Sequence, residues 1–157
     1  YCHQLINAVD VWRTVANIAG LSDSDIDDVI ATAYPGESHP IDGLSFLAQI
    51  EDPSAVGARE LAFSEFFPNG SPPPLTYQHP RTVRDRIYKY IRKVSYPLEQ
   101  LYNVVDDPEE TDDLLLHASL TREEEEAFCR LQNEMSALSG GQGCAGTKLR
   151  AGPTKKP

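Results

Sequence analysis

Residues 61–138 combine a series of short strand patterns with one long amphipathic helix at the end. The helix is predicted to begin after Thr121, because Thr121 and Glu124 have the spacing of a capping box. Glutamates at 123–126 also favour this start, since they lie at the positive end of the helix dipole. The apolar face of the helix carries Ala127, Phe128, Leu131, Met135 and Leu138. Such a face must pack on another layer of structure.

The strand patterns that precede the helix predict this second layer. Residues 61–67 are rich in aromatic side chains and are followed by Pro68, which cannot continue a sheet. Residues 81–94 predict two strands joined by a tight turn at the polar pair Asp85-Arg86, and residues 100–105 predict another strand. The expected fold class is therefore α+β, with a small antiparallel sheet of about four strands packed by the C-terminal helix.

The first part of the chain predicts helices. One helix is expected over residues 10–19 and is closed by Gly20. Its apolar stripe consists of Val11, Trp12, Val15, Ile18 and Ala19. A second helix is expected after Ser22, a suitable N-cap, and ends at Tyr34-Pro35-Gly36. The next residues, 37–60, are expected to be a connecting region.

The charge balance argues against a nucleic-acid partner. The chain has 24 acidic and 14 basic residues, and we expect the only basic excess in a Gly/Lys-rich tail over residues 139–157. Without that tail, residues 1–138 hold 24 acidic and 10 basic side chains, a net charge of −14. The tail is expected to be disordered. No apolar stretch approaches the roughly 20 residues that span a bilayer.

The cysteines predict neither a metal site nor a disulfide framework. Cys2, Cys129 and Cys144 are odd in number and widely spaced, with no histidine at a zinc spacing. Cys129 is expected to be a small core residue and Cys144 a free thiol in the tail. No motif of a nucleophile, a metalloprotease or a dinucleotide site is present, so the sequence assigns no catalytic residue and no metal ligand.

One short segment has suggestive chemistry. His79-Pro80-Arg81 places an imidazole and a guanidinium on a loop that enters a strand. The guanidinium of Arg81 has the geometry to bind an anionic group in a bidentate manner. The alternative is that Arg81, at the edge of a strand, pairs with one of the many carboxylates of the chain.

The order of several short motifs carries a family resemblance. The helical motif with Thr14 and Gly20 is followed by Asp42-Gly43-Leu44-Ser45, then by Tyr88-Lys89-Tyr90-Ile91, and finally by Leu101-Tyr102-Asn103 and Asp107-Pro108-Glu109-Glu110. Over residues 8–116 this series resembles the C-terminal portion of a sulfatase of the arylsulfatase type, in the alkaline-phosphatase-like superfamily. The departures are mild: Arg13 stands where the family usually has Pro, and Asn103 where it has Asp.

The resemblance implies an enzyme that hydrolyses sulfate esters to an alcohol and inorganic sulfate. In that family a formylglycine nucleophile and a divalent cation, expected to be calcium, carry the reaction. The Cys/Ser-x-Pro-x-Arg signature that yields formylglycine is absent from this sequence, and the resemblance places it before Tyr1. We therefore expect this chain alone to be inactive. The resemblance also implies a periplasmic or secreted parent protein.

The resemblance further implies a division of the chain. Residues 1–36 would end the catalytic α/β domain, residues 37–60 would connect, and residues 61–138 would form the C-terminal subdomain. That subdomain would brace the catalytic domain and shape the rim of the substrate pocket. We expect the loop 68–81 at this rim, with His79 and Arg81 in contact with the sulfate-ester substrate. The helix with Trp12 would then expose apolar surface in this chain.

Two alternatives remain open at this point. The chain is also compatible with a non-catalytic acidic interaction module that keeps the subdomain fold. A third possibility is a fragment of a phosphate or phosphonate ester hydrolase of the same superfamily. The presence or absence of Cys/Ser-x-Pro-x-Arg in the coding sequence upstream of Tyr1 would discriminate between a sulfatase and an interaction module.

Overall fold

The computed structural model describes residues 2–36, 42–66, 80–93, 98–139 and 144. The chain forms two compact units, Tyr1–Ala62 and Phe63–Pro157. The predicted α+β class is confirmed, because four strands form one antiparallel sheet and a long helix follows them. Among the described residues, no helix has both the length and the apolar character that a membrane crossing requires.

The described residues of the first unit form three helices: α1 at Asp10–Ile18, α2 at Asp23–Ala33 and the short α3 at Leu47–Glu51. The expected cap of α2 is confirmed, since the Ser22 side chain accepts a hydrogen bond from the Asp25 amide and the Asp25 carboxylate accepts one from the Ser22 amide. Arg13 joins the two long helices, because its guanidinium lies 2.9 Å from Asp23 and 3.3 Å from Asp27.

The apolar stripe of α1 is exposed, as expected for the helix that carries Trp12. Trp12 is 55% exposed and Val15 58% exposed, and Val11 and Ile18 are similar. The residues of α1 that are buried in the first unit are Asp10, Thr14 and Ala16. The first unit therefore packs against the small and polar side of this helix and leaves its most apolar side uncovered.

The second unit contains the sheet, with strand order β1-β2-β3-β4. The strands are β1 at Ala62–Glu65, β2 at Pro80–Arg84, β3 at Tyr88–Lys93 and β4 at Leu98–Asn103. The tight turn predicted between β2 and β3 is confirmed, and the Asp85 carboxylate accepts hydrogen bonds there from the amides of Ile87 and Tyr88 at 2.7 and 2.6 Å.

The long helix α4, Arg122–Ser139, packs on one face of this sheet. Its predicted capping box is confirmed by hydrogen bonds in both directions between Thr121 and Glu124. The ring of Phe128 on α4 meets Tyr90 of β3 edge to face, with centroids 5.4 Å apart. Each fully buried apolar side chain of this core contributes roughly 1.5–3 kcal/mol. Among the described residues of this unit, the large apolar side chains that are less than 2% exposed are Val83, Tyr90, Leu101, Leu131 and Met135.

The acidic run after β4 does more than form a solvated turn. The Asp113 carboxylate accepts hydrogen bonds from the amides of Leu101 and Leu115 at 3.0 and 3.1 Å, and Asp107 accepts one from the Asp112 amide at 2.8 Å. The bond from Leu101 ties the connection between β4 and α4 to the edge strand β4, and the other two hold the connection in its own conformation. A short 3-10 helix at Leu114–Leu116 buries Leu114 in the same connection.

The expectation of a free thiol at Cys144 is wrong. Cys129 and Cys144 form a disulfide, and the Cys144 amide donates to the Asn133 side-chain oxygen at 2.8 Å. The chain thus returns to α4 after the helix ends, which no local pattern indicates. Cys129 is half-buried instead of a full core residue, and Cys2 is free and exposed. Apart from Ser139 and Cys144, the tail expected over residues 139–157 lies outside the described residues.

Candidate functional site

The β2–β3 hairpin concentrates positive charge in an acidic chain. Residues 80–93 contain six basic side chains and one acidic side chain. The expectation that basic residues are in excess only in the C-terminal tail is therefore wrong. The pattern that could have revealed this excess of positive charge is the recurrence of Lys and Arg along the two adjacent predicted strands.

Arg81 belongs to this hairpin and is paired with a carboxylate. Its Nε lies 2.6 Å from Oε1 of Glu65, and both side chains are about one-fifth exposed, at 21% and 20%. The ion pair joins β1 to β2. This is the contact that the alternative interpretation of Arg81 anticipated. His79, the other residue expected to touch substrate, lies outside the described residues.

Two further basic side chains at the hairpin have carboxylate partners. Nζ of Lys89 contacts both carboxylate oxygens of Glu110, at 2.7 and 2.8 Å. Glu110 adopts a left-handed backbone conformation with φ of 56°, which is uncommon for a residue with a side chain. Arg130 of α4 lies 2.6 Å from Asp85 in the hairpin turn. Arg81 and Lys89 of the hairpin thus pair with acidic residues from neighbouring elements, whereas Arg130 pairs with Asp85, the acidic residue of the hairpin itself.

A groove of about 290 Å³ opens beside Arg81. Two of the lining residues, Thr82 and Ile91, are direct cross-strand neighbours, so their side chains share one face of the sheet. Oγ of Thr82 is buried and has no hydrogen-bond partner among the described residues. The groove combines hydroxyl, basic and apolar side chains, namely Ser64, Thr82, Arg81, Lys89, Lys93, Phe66, Pro80 and Ile91.

This mixture of side chains suits an anionic ligand with an apolar face. Ammonium and guanidinium groups donate charge-assisted hydrogen bonds to anionic oxygens, and hydroxyls bind polar substituents. Sequence reasoning identified Arg81 but missed Thr82, Lys89 and Lys93. The alternation of side chains along β2 and β3 assigns each of these residues to one face of the sheet. It does not show which of the two faces remains open.

The first unit holds a second polar cluster, centred on Asp10. This carboxylate is 1% exposed and accepts hydrogen bonds from the amides of Asn7 and Leu44, at 2.6 and 2.8 Å. Arg59 binds it with two nitrogens, Nε at 2.8 Å and Nη2. Burial alone would raise the pKa of Asp10, but the hydrogen bonds from Arg59 and the amides outweigh it and hold the pKa below its ordinary value.

The motifs around Asp10 have a structural explanation. Thr14 Oγ donates to the Asp10 carbonyl at 2.8 Å and accepts from the Phe46 amide at 3.1 Å. At Gly43 any side chain would collide with the Val9 carbonyl. The segment that begins at Asp42 therefore docks on the start of α1 through these contacts, which require an acid, a hydroxyl and a glycine at these positions.

A third cluster lies in the connection between β4 and α4. Nε2 of His117 is 2.8 Å from an oxygen of Asp112, and this hydrogen bond raises the pKa of His117 above its ordinary value. Among the described residues, no group of three or more His, Cys, Asp or Glu side chains is arranged to hold a metal ion. The donor sets of the described residues thus do not fit the divalent cation that the family resemblance implies.

Comparison with known proteins relies on three-dimensional structure. No protein-family model and no curated protein matches the chain. A protein solved in complex with its substrate, D-glucosamine-2-N,6-O-disulfate, matches with a TM-score of 0.56 and 16% identity, covering 81% of this chain and 23% of its own. A protein assigned as a sulfatase, from Bacteroides thetaiotaomicron VPI-5482, matches with a TM-score of 0.56 and 20% identity, covering 82% of this chain and 24% of its own.

The chain has a sulfatase-like fold. A third match, a 2-O GAG sulfatase, has a TM-score of 0.49 and 21% identity and covers 82% of this chain and 22% of its own. The sulfatase-like chain spans about a quarter of the length of the first two matched proteins, at 23% and 24%. The resemblance that the motifs predicted is thereby confirmed for the fold.

Proposed function

We propose that this chain is the C-terminal portion of a sulfatase that hydrolyses sulfate esters to an alcohol and inorganic sulfate. The observation that carries the proposal is the sulfatase-like fold, which matches most of this chain but only about a quarter of the matched proteins, at 23% and 24%. One of those proteins was solved with a disulfated glucosamine as its substrate. We therefore propose a sulfated sugar as the substrate class.

In this proposal residues 61–138 brace the catalytic domain, and residues 1–36, which end that domain, pack on the rest of it through the exposed stripe of α1. Trp12 and Val15 are more than half exposed, at 55% and 58%. Covering a large apolar side chain contributes roughly 1.5–3 kcal/mol, so the stripe offers a substantial docking energy. The hydrogen bonds of Asp10 and Thr14 hold α1 in place from its other side. The proposed occupant of the stripe is the large sheet of the catalytic domain.

In the second unit the groove beside Arg81 is proposed to form part of the substrate rim, together with His79. The ion pair with Glu65 orients the Arg81 guanidinium through Nε. A guanidinium has five N–H donors, so its terminal amino groups are suited to sulfate oxygens. Lys93, an exposed residue that also lines the groove, would add a second positive charge.

The formylglycine and the divalent cation are proposed to belong to the remainder of the parent enzyme. When bound, they would supply the nucleophile and the positive charge that the transfer of a sulfuryl group requires. The residues of this chain would orient the ester and exclude water at the rim. The chain by itself is therefore proposed to be inactive.

The rim is tested in the parent enzyme with three variants. A charge-assisted hydrogen bond contributes about 1.5–3 kcal/mol, so Arg81→Ala should lower kcat/KM by about 10- to 100-fold for sulfated sugars. Glu65→Gln removes the partner but keeps the guanidinium, and it should lower kcat/KM much less. Arg122→Ala, at a residue that is 91% exposed, is the control and should leave kcat/KM unchanged. Equal losses in the first two variants would mean that Arg81 acts only through its ion pair.

The packing of α1 on the catalytic domain has its own test, which does not depend on activity. Val15→Ser should leave the stability of this 157-residue chain nearly unchanged, because Val15 is already 58% exposed. In the parent enzyme the same change should lower the free energy of unfolding by about 1 kcal/mol or more, since the side chain would be covered there. Equal effects in the two proteins would contradict the proposed docking. A parent sequence without Cys/Ser-x-Pro-x-Arg would contradict the sulfatase assignment.

A further inference from the structure

Two independent contacts bring residue 144 back to the middle of α4. The first is the disulfide between Cys129 and Cys144, whose Cα atoms are 5.2 Å apart, within the ordinary range for a disulfide. The second is the hydrogen bond from the Cys144 amide to the side-chain oxygen of Asn133, at 2.8 Å. Residues 129 and 133 are one helical turn apart, so both contacts lie on the same side of α4.

We propose that Cys129 and Cys144 form a reversible thiol–disulfide exchange site that fastens the chain after α4 to this helix. The reacting partner would be a dithiol or disulfide, either a small molecule or a thiol–disulfide oxidoreductase. The site is separate from the sulfatase chemistry proposed above and does not depend on it. Both cysteines are half-buried, so a reagent can reach the sulfurs without unfolding of the core.

The exchange balances as a two-electron reaction. A thiolate of the dithiol attacks Sγ of Cys144, a mixed disulfide forms, and Cys129 leaves as a thiolate that takes up a proton. The second thiolate of the reagent then attacks the mixed disulfide, and Cys144 leaves in the same way. The protein gains two thiols, and the reagent is oxidised to its own disulfide. Oxidation of the protein by a disulfide reagent follows the same steps in reverse.

The structural consequence concerns the second half of α4. Leu131 and Met135 lie there and are fully buried against the sheet, at 0% and 1% exposed. Closing a loop across a sequence separation of 15 residues reduces the freedom of the open chain and so favours the helical, packed state of this segment. Reduction should therefore increase local opening of α4 after Cys129, and the sheet should be affected less.

The first experiment identifies the linkage in the 157-residue chain after equilibration in a glutathione redox buffer. Trypsin should release a peptide of residues 123–130 joined to a peptide of residues 131–148, and treatment with dithiothreitol should separate them. Alkylation without unfolding should modify one thiol, Cys2, before reduction and all three thiols after native reduction. The proposal would be overturned by a cross-link that contains Cys2 or by three free thiols at every ratio of reduced to oxidised glutathione. It would also be overturned by a linkage that dithiothreitol does not reduce in the folded protein.

The second experiment measures hydrogen exchange of the α4 amides over residues 131–139. Reduction, or the variant Cys144→Ser, should speed exchange there by about tenfold or more, a loss of protection in line with the removal of a loop closure of this length. Cys2→Ser is the matched control and should keep both the cross-link and the slow exchange. Equal exchange rates in the oxidised, reduced and Cys144→Ser proteins would overturn the role assigned to the bond.

Discussion

Replacing Asp10 tests how the first unit is held together. The Asp10 carboxylate is 1% exposed and receives two amide hydrogen bonds and two from Arg59. Asp10→Asn removes the charge and turns an amide N–H group towards the guanidinium. The variant therefore leaves Arg59, whose side chain is 15% exposed, with a charge that lacks its partner.

The expected loss is large for a unit of this size. Breaking a buried ion pair by changing one partner costs about 3–5 kcal/mol. A unit of 62 residues has a total stability of roughly 3–9 kcal/mol if it follows the usual average per residue. Asp10→Asn should therefore unfold much of the first unit or bring it to the edge of unfolding. The sheet of the second unit contains its own core and should persist.

The assay is amide hydrogen exchange of α1 and β3 in the same sample, since α1 reports on the first unit and β3 on the second. Protection of α1 should fall sharply in Asp10→Asn. Protection of β3 should stay near that of the unsubstituted chain. Arg13→Ala is the comparison, because its partners Asp23 and Asp27 are well exposed, at 62% and 65%. A change of less than 1 kcal/mol in α1 protection for Asp10→Asn would show that the pair of Asp10 with Arg59 does not hold the first unit together.

The pH dependence supplies a second criterion for the same residue. The pKa of Asp10 in the folded protein lies below its ordinary value of 3.8. Its contribution is therefore fully present above the unfolded pKa and is lost as the pH falls through the lower, folded pKa. In the unsubstituted chain, the stability of α1 should decrease when the pH is lowered below about 4. The decrease should be smaller in Asp10→Asn.

Two further substitutions and one titration have defined outcomes. Gly43→Ala should destabilise the first unit by about 1–3 kcal/mol in a urea titration, because the new methyl group collides with the Val9 carbonyl. His117 should titrate by NMR above its ordinary value of 6.5, and the stability from its pair with Asp112 should be lost as the pH rises through that raised pKa. Leu131→Ala should lower the stability of the second unit by about 2–5 kcal/mol in thermal unfolding, since Leu131 is 0% exposed.

Each of these has a matched control in the chain. At Gly57 an added methyl group meets only the flexible side chain of Gln4, so Gly57→Ala should cost much less than the change at Gly43. Leu138→Ala, at a position 58% exposed, should change stability far less than Leu131→Ala. In Asp112→Asn the titration of His117 should move back towards 6.5. Equal effects within either substitution pair, or an unmoved His117, would contradict the corresponding contact.

The sequence was sufficient for features that depend on neighbouring residues. The caps at Ser22 and Thr121 and the turn at Asp85 are formed by side chains that bind amides two or three residues away. Such contacts require only the correct residue at the correct spacing, so the helix starts, the hairpin and the α+β class were all predictable. The apolar stripe of α1 was visible in the same way.

Contacts between residues that are distant in the sequence could be identified only in the folded chain. Asp10 and Arg59 are 49 residues apart, and in a chain with 24 acidic residues no spacing rule selects that pair. The same holds for Arg81 with Glu65 and for Cys129 with Cys144. Periodicity shows that one side of a helix is apolar, but only the folded chain shows whether anything covers it. Local residue patterns were therefore enough to predict the helices and strands, whereas the packing of those elements establishes which charges and which thiols come into contact.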